Sequence, residues 1–140
     1  FTGAAVMSQA FPSLKIVLIA ALYAVGAHGI MTLNDFKALK GDRQTGINSL
    51  PVQFGANKAA KIACWVMTIP QLLVVILMSS WGALQPAVFI GCLVLGQFLA
   101  MRKLLKDPQK FAPWYNATGV LMFVLGMMVC AFGLRNFGAF

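Results

Sequence analysis

Only three carboxylates occur in this 140-residue chain, and two of them, Asp35 and Asp42, stand seven residues apart in a stretch that also holds Lys37, Lys40 and Arg43. On a continuous helix seven residues turn about 700°, which returns both carboxylates to one face with an axial offset of about 10 Å. That offset is too long for one metal ion to bridge easily. It suits two hard cations, or one cation and the far end of a pyrophosphate. Mg²⁺ takes oxygen ligands, keeps several waters, and is usually held by one or two carboxylates together with substrate phosphates. Lys37, Lys40 and Arg43 are then placed to neutralise the remaining phosphate charge. The same spacing admits a plainer reading, in which Asp35 and Asp42 pair with neighbouring Lys or Arg on a solvated surface. Spacing alone leaves both open.

The elements that must position these residues are apolar. The chain is 60% hydrophobic and 10% charged, whereas a soluble domain carries roughly one quarter charged residues. Four apolar runs, residues 14–33, 62–81, 84–101 and 117–134, are each about 18 to 20 residues long and so match about 30 Å of hydrocarbon as helix. They predict an all-α integral membrane protein, a polytopic transmembrane helix bundle of about four complete spans in a lipid bilayer. Residues 1–10 read as the tail of an earlier helix, with Phe11, Pro12 and Ser13 as the turn into the first span. A chain that starts at Phe1, with no signal-peptide pattern, is expected to have lost upstream residues.

Net charge is +8, from 11 Lys and Arg against three acids. The basic residues sit at span ends and form no continuous stripe, so nucleic acid is excluded as a partner. Lys37, Lys40, Arg43, Lys58 and Lys61 fall between the first and second spans, and Arg102, Lys103, Lys106 and Lys110 between the third and fourth. The positive-inside rule places both stretches, and with them all three acids, on the cytoplasmic side; Lys15 and Arg135 fall opposite. Pro70 is expected to kink the second span. Gly26 with Gly29, and Gly91 with Gly96, read as close helix contacts. Cys64, Cys92 and Cys130 lack metal or redox spacing and read as small buried apolar residues.

Read as a whole, Gly26-Ala27-His28-Gly29-Ile30-Met31-Thr32-Leu33-Asn34-Asp35-Phe36-Lys37, with Gly41-Asp42-Arg43, Gly46 and Ser49-Leu50-Pro51, resembles the second aspartate motif of the UbiA prenyltransferase superfamily. The likeness is to its chlorophyll and bacteriochlorophyll synthase branch, extends to Phe111-Ala112-Pro113-Trp114-Tyr115-Asn116, and in the Gly-Ile-Met-Thr-Leu run leans to the bacteriochlorophyll side. The resemblance implies attachment of a geranylgeranyl or phytyl chain, delivered as its diphosphate, to the propionate of bacteriochlorophyllide, with Mg²⁺ held by two aspartate motifs on facing helices. It assigns Asp35 and Asp42 as Mg²⁺ ligands, these two with Arg43 as catalytic residues, and Asn34, Lys37 and Lys40 as substrate contacts. Where many relatives place a further acid this chain has Ala38, and Lys40 stands where they often carry Glu. The first motif, of Asn-Asp-x-x-Asp type, is absent. Residues 1–140 are therefore expected to form one transmembrane domain, the C-terminal half of a larger enzyme. It would need an N-terminal half or partner chain, in a bacterial inner, photosynthetic membrane.

His28 precedes Asp35 by seven residues and Thr32 by four, so on a helix all three share a face. An ionisable residue inside an apolar run is a candidate for contacting the acceptor's carboxylate or metal, or it is a neutral imidazole bonded to a neighbouring helix. Trp114 and Tyr115 read as interfacial aromatics, or with Asn116 as one wall of a planar macrocycle site. Pro113 before them fits a helix start, and Asp107 reads as a loop residue.

The implied chemistry needs no strong base. An allylic diphosphate ionises when metal and cationic side chains stabilise the departing pyrophosphate, and a carboxylate acceptor with reference pKa near 4 is already ionised. A chain with one His and no Glu agrees with that. The competing reading is a non-catalytic pigment-binding or structural subunit of a photosynthetic complex that keeps the motif as ancestry. A small transporter would want polar residues on a midplane pathway, and the spans offer few apart from His28.

Overall fold

Between Pro12 and Pro51 no proline interrupts the chain, and Leu14–Thr45 forms one 32-residue helix, α1. The computed structural model describes residues 11–136, so the reading of residues 1–10 as a helix tail lies outside the described residues. The apolar part of α1 ends at Leu33 and is already long enough for the hydrocarbon; from Asn34 the helix continues as a polar extension beyond it. Asp35 and Asp42 thus lie on helix and not in a loop. Gly41 alone does not break it. The stop comes at Gly46, whose φ of 74° is left-handed, and the Ile47 N–H closes back on the Asp42 carbonyl at 2.9 Å, the wide bond of a Schellman-type terminus.

A short helix follows, α2 (Leu50–Phe54), with a proline in its first turn. Gly55, at φ 79°, turns the chain into α3 (Ala56–Ser80). Pro70 lies inside α3 and removes the N–H that would bond the Val66 carbonyl. A tight turn through Gly82, at φ 82°, leads to α4 (Leu84–Leu104), and α5 (Pro108–Asn136) completes the described chain. The last helix begins at Pro108 and not at Pro113. Asp107 makes the earlier start possible, accepting from the Lys110 N–H at 3.2 Å as an N-cap with proline next to it.

Helices α1, α3, α4 and α5 are each long and apolar enough to cross a membrane, and the described residues contain no strand. The protein is a multi-pass membrane protein. Its four long helices close into a bundle in which α1 packs mainly on α3 and α4 mainly on α5. Small residues set the first interface, because without water to drive helices together, packing depends on close backbone approach. A side chain at Gly29 would collide with the Ala63 carbonyl and Met67 of α3, and, at the neighbouring interface, one at Gly26 with the Phe123 ring of α5. Ala59, Ala60 and Ala63 are fully buried opposite. Gly96 abuts the Met122 sulfur, but Gly91 meets nothing within 4 Å and makes no such contact. Cys64 and Cys130 are buried as expected; Cys92 is exposed.

One polar contact lies deep in this bundle. The Gln97 amide on α4 donates to Gln71 Oε1 on α3 at 2.6 Å, and both side chains are fully buried. Gly126 on α5 leaves room for them: a Cβ there would stand 2.8 Å from Gln71 Nε2 and 3.4 Å from the Tyr23 hydroxyl of α1. Four helices therefore meet at one polar point, which sequence reading missed although two glutamines inside apolar runs are its signal.

Candidate active site

The polar extension of α1 presents its carboxylates in two different settings. Asp42 is only 8% exposed, and the loop after Gly46 folds back so that Ser49 Oγ donates to Asp42 Oδ2 at 2.7 Å. Ser49 stands at the N-cap of α2 yet makes no side-chain capping bond there, its hydroxyl being spent on the carboxylate. Asp35, two helical turns earlier, is partly exposed. Partial burial, and after it the charge of Asp42, push the Asp35 carboxyl above its ordinary range. Both effects oppose a second negative charge on this face, and a cation bound there would relieve both.

That makes the donor set compatible with Mg²⁺, which takes one or two carboxylates and completes its shell with water and phosphate oxygen. No group of three or more His, Cys, Asp or Glu converges among the described residues.

The cations form a separate face. Lys37, Lys40 and Arg43 line a cleft of about 410 Å³ together with Gln44 and, from α5, Gln109. The carboxylates are not part of this lining. Lys40 and Lys37 lie roughly 140° and 200° around the helix from Asp35, whereas Arg43 lies only about 80° away, between the two faces. Gln109 was not anticipated, since only the packing of α5 on α1 brings it there.

Asn34 and Asn116, 82 residues apart, are brought together: Asn116 Nδ2 on α5 donates to Asn34 Oδ1 on α1 at 2.9 Å. Trp114 is partly buried beneath Lys103, whose Nζ stands 4.0 Å from the ring centroid, with Phe111 alongside at 5.3 Å. Tyr115 departs from the expected ligand wall. It is fully buried, beside the Cys64 thiol of α3 and against Gly119, because consecutive helical residues point about 100° apart. His28 is exposed and its Nδ1 lies 3.1 Å from the Ala24 carbonyl of its own helix. Thr32 is buried and donates to the His28 carbonyl at 3.1 Å, so the shared face of His28, Thr32 and Asp35 is only partly open.

Fold and site together define a polytopic helical membrane protein with a carboxylate-bearing helix extended past the hydrocarbon. Residues 1–127 match the model of the UbiA prenyltransferase family, and the chain belongs to that family. It is 58% identical over 136 residues to the Bacteriochlorophyll synthase 33 kDa chain of Cereibacter sphaeroides, covering 97% of this chain and 45% of that protein. It is 50% identical over 139 residues to the protein of the same description from Rhodobacter capsulatus, covering 97% and 46%. With the chloroplastic Chlorophyll synthase of Avena sativa it shares 38% identity over 117 residues, 83% and 31% of the two chains. The chain thus spans under half the length of these curated relatives. No solved structure matches.

Proposed function

We propose that this chain is the C-terminal half of a bacteriochlorophyll synthase-type prenyltransferase, which esterifies the propionate of bacteriochlorophyllide a with geranylgeranyl or phytyl diphosphate. The observation that carries the reading is the 58% identity, over nearly the whole chain, to a Bacteriochlorophyll synthase 33 kDa chain. The paired carboxylates on the α1 extension supply a chemical reason for it. Asp35 and Asp42 would each contribute to Mg²⁺ binding, too far apart along the helix to share one ion easily, with Ser49 fixing the Asp42 carboxylate. Bound there, the metal would supply positive charge against the departing pyrophosphate. Arg43, between the acidic and basic faces, and Lys37 and Lys40 in the cleft beside it take the rest of the diphosphate charge. The Asn34–Asn116 bond fixes α5 against α1, which sets Trp114 at the edge of the acceptor site. His28, exposed within the apolar part of α1, is a contact for the acceptor.

The protein acts in the inner, photosynthetic membrane of a bacterium with the α1 extension on the cytoplasmic face. Nine of the eleven Lys and Arg fall in the two stretches on that side, which supports this orientation. The remaining Mg²⁺ ligands come from an N-terminal half carrying the first aspartate motif. The test is esterification of bacteriochlorophyllide by geranylgeranyl diphosphate in detergent, with this chain alone, with that half added, and with Mg²⁺ removed. Turnover is expected only from the assembled pair with Mg²⁺. A folded, assembled and inert pair would favour the pigment-binding or structural subunit.

A further inference from the structure

The outer face of α3 and α4 carries a groove that the proposed reaction does not use. Its volume is about 780 Å³, within the range of about 300–1,000 Å³ typical of small-molecule sites. Lys61 of α3 stands just before the second apolar run and Arg102 of α4 just after the third. Because the two helices are antiparallel neighbours, both cations come to the same membrane level and line one mouth of the groove. Trp65 and Phe98 lie one turn deeper, packed edge to face with centroids 6.2 Å apart. Leu99 stands at the level of that pair and Leu95 about one turn deeper, each 65% exposed, and they continue the wall into the hydrocarbon.

We propose that this groove binds an anionic phospholipid, its phosphate between Lys61 and Arg102 and one acyl chain along Trp65, Leu95 and Leu99. Three observations select that occupant. The mouth is doubly cationic and no carboxylate lines the groove, so its charge complements a phosphate, for which Arg offers paired donors and Lys a point charge. The apolar wall starts where the cations end, which matches a molecule with its charge at the interface and its chain in hydrocarbon. Arg102 is also set apart from its neighbour: Lys103 lies over Trp114 on the α5 side, whereas Arg102 lines the groove. A need for basic residues at the cytoplasmic end explains Lys61 and Arg102 singly; it does not require that they converge from two helices over one apolar cleft.

The reporter is built in. With Trp81→Phe and Trp114→Phe, Trp65 is the remaining tryptophan of the three. The chain is assembled with its N-terminal half, whose tryptophans are likewise replaced by Phe, and the pair is reconstituted in phosphatidylcholine vesicles containing equal mole fractions of brominated phosphatidylglycerol or brominated phosphatidylcholine, and quenching of Trp65 is compared. One basic residue near an anionic headgroup favours it about fivefold, so a preference of at least about fivefold for the anionic quencher is expected. High salt, which needs no substitution, and the Lys61→Gln/Arg102→Gln variant should each bring the ratio close to one. Equal quenching by both lipids, or a preference that survives in the variant, overturns the proposal. So does absence of quenching by either, which would mean that protein covers the groove. Displacement of the brominated anionic lipid by geranylgeranyl diphosphate would assign the groove to a prenyl diphosphate and overturn it equally.

Discussion

At the scale of single residues, two carboxylates seven apart are made unlike by their surroundings. Asp42 is buried and held by Ser49, while Asp35 stays partly exposed and is pushed upward by burial and by Asp42. Groups that orient a metal ligand commonly contribute ten- to a hundredfold to metal affinity or activity. Ser49→Ala should therefore raise the Mg²⁺ concentration for half-maximal esterification by about tenfold. A Mg²⁺ titration with unchanged midpoint would show that the hydroxyl plays no part in holding metal. The carboxylate pair was legible in the sequence because helical periodicity fixes which residues share a face. Ser49 was visible as part of a motif, but its role was not, since it depends on the return path set by Gly46. Tyr115 illustrates the opposite case: sequence places it beside Trp114 at an interface, and only packing against α3 shows that it belongs to the core.

Among the helices, the decisive contacts are small residues and one buried amide pair. In lipid, outward and inward faces are both apolar, so the hydrophobic pattern that orients a soluble helix carries little information. That is why Gly29 and Gly91 looked alike in sequence, although one touches the α3 backbone and the other nothing within 4 Å. Gly29→Leu should force α1 from α3 and cost about 1–3 kcal/mol, read as earlier unfolding in detergent, with Gly91→Leu close to neutral as the control. Equal effects from the two would mean that the α1–α3 approach is not what stabilises the bundle. Gln97→Leu leaves the Gln71 carbonyl buried without its donor, an expected loss of about 1–3 kcal/mol. Gln71→Leu/Gln97→Leu should recover most of it. A double variant no better than the single one would contradict pairing as the cause. The long helix α1 was itself only half legible: composition ends the span at Leu33, yet no residue there stops a helix before Gly46.

On the scale of the whole molecule, composition and run length were enough to give an all-helical membrane protein, because the bilayer admits few alternatives for an apolar chain. Family membership follows from a match over residues 1–127, and the basic stretches argue for one orientation. The same two stretches supply the cations of the α1 cleft and of the α3–α4 groove, so reaction and lipid contact would share one face of the membrane. What ties these scales together is the claim that Asp35 and Asp42 handle a metal-bound diphosphate. It is tested most directly by Asp35→Asn and Asp42→Asn in the assembled enzyme, comparing Mg²⁺-dependent esterification at matched stability. Each substitution should lower turnover by at least about a hundredfold. Near-normal turnover in both, with Mg²⁺ still required, would contradict the claim and move the metal to another part of the enzyme.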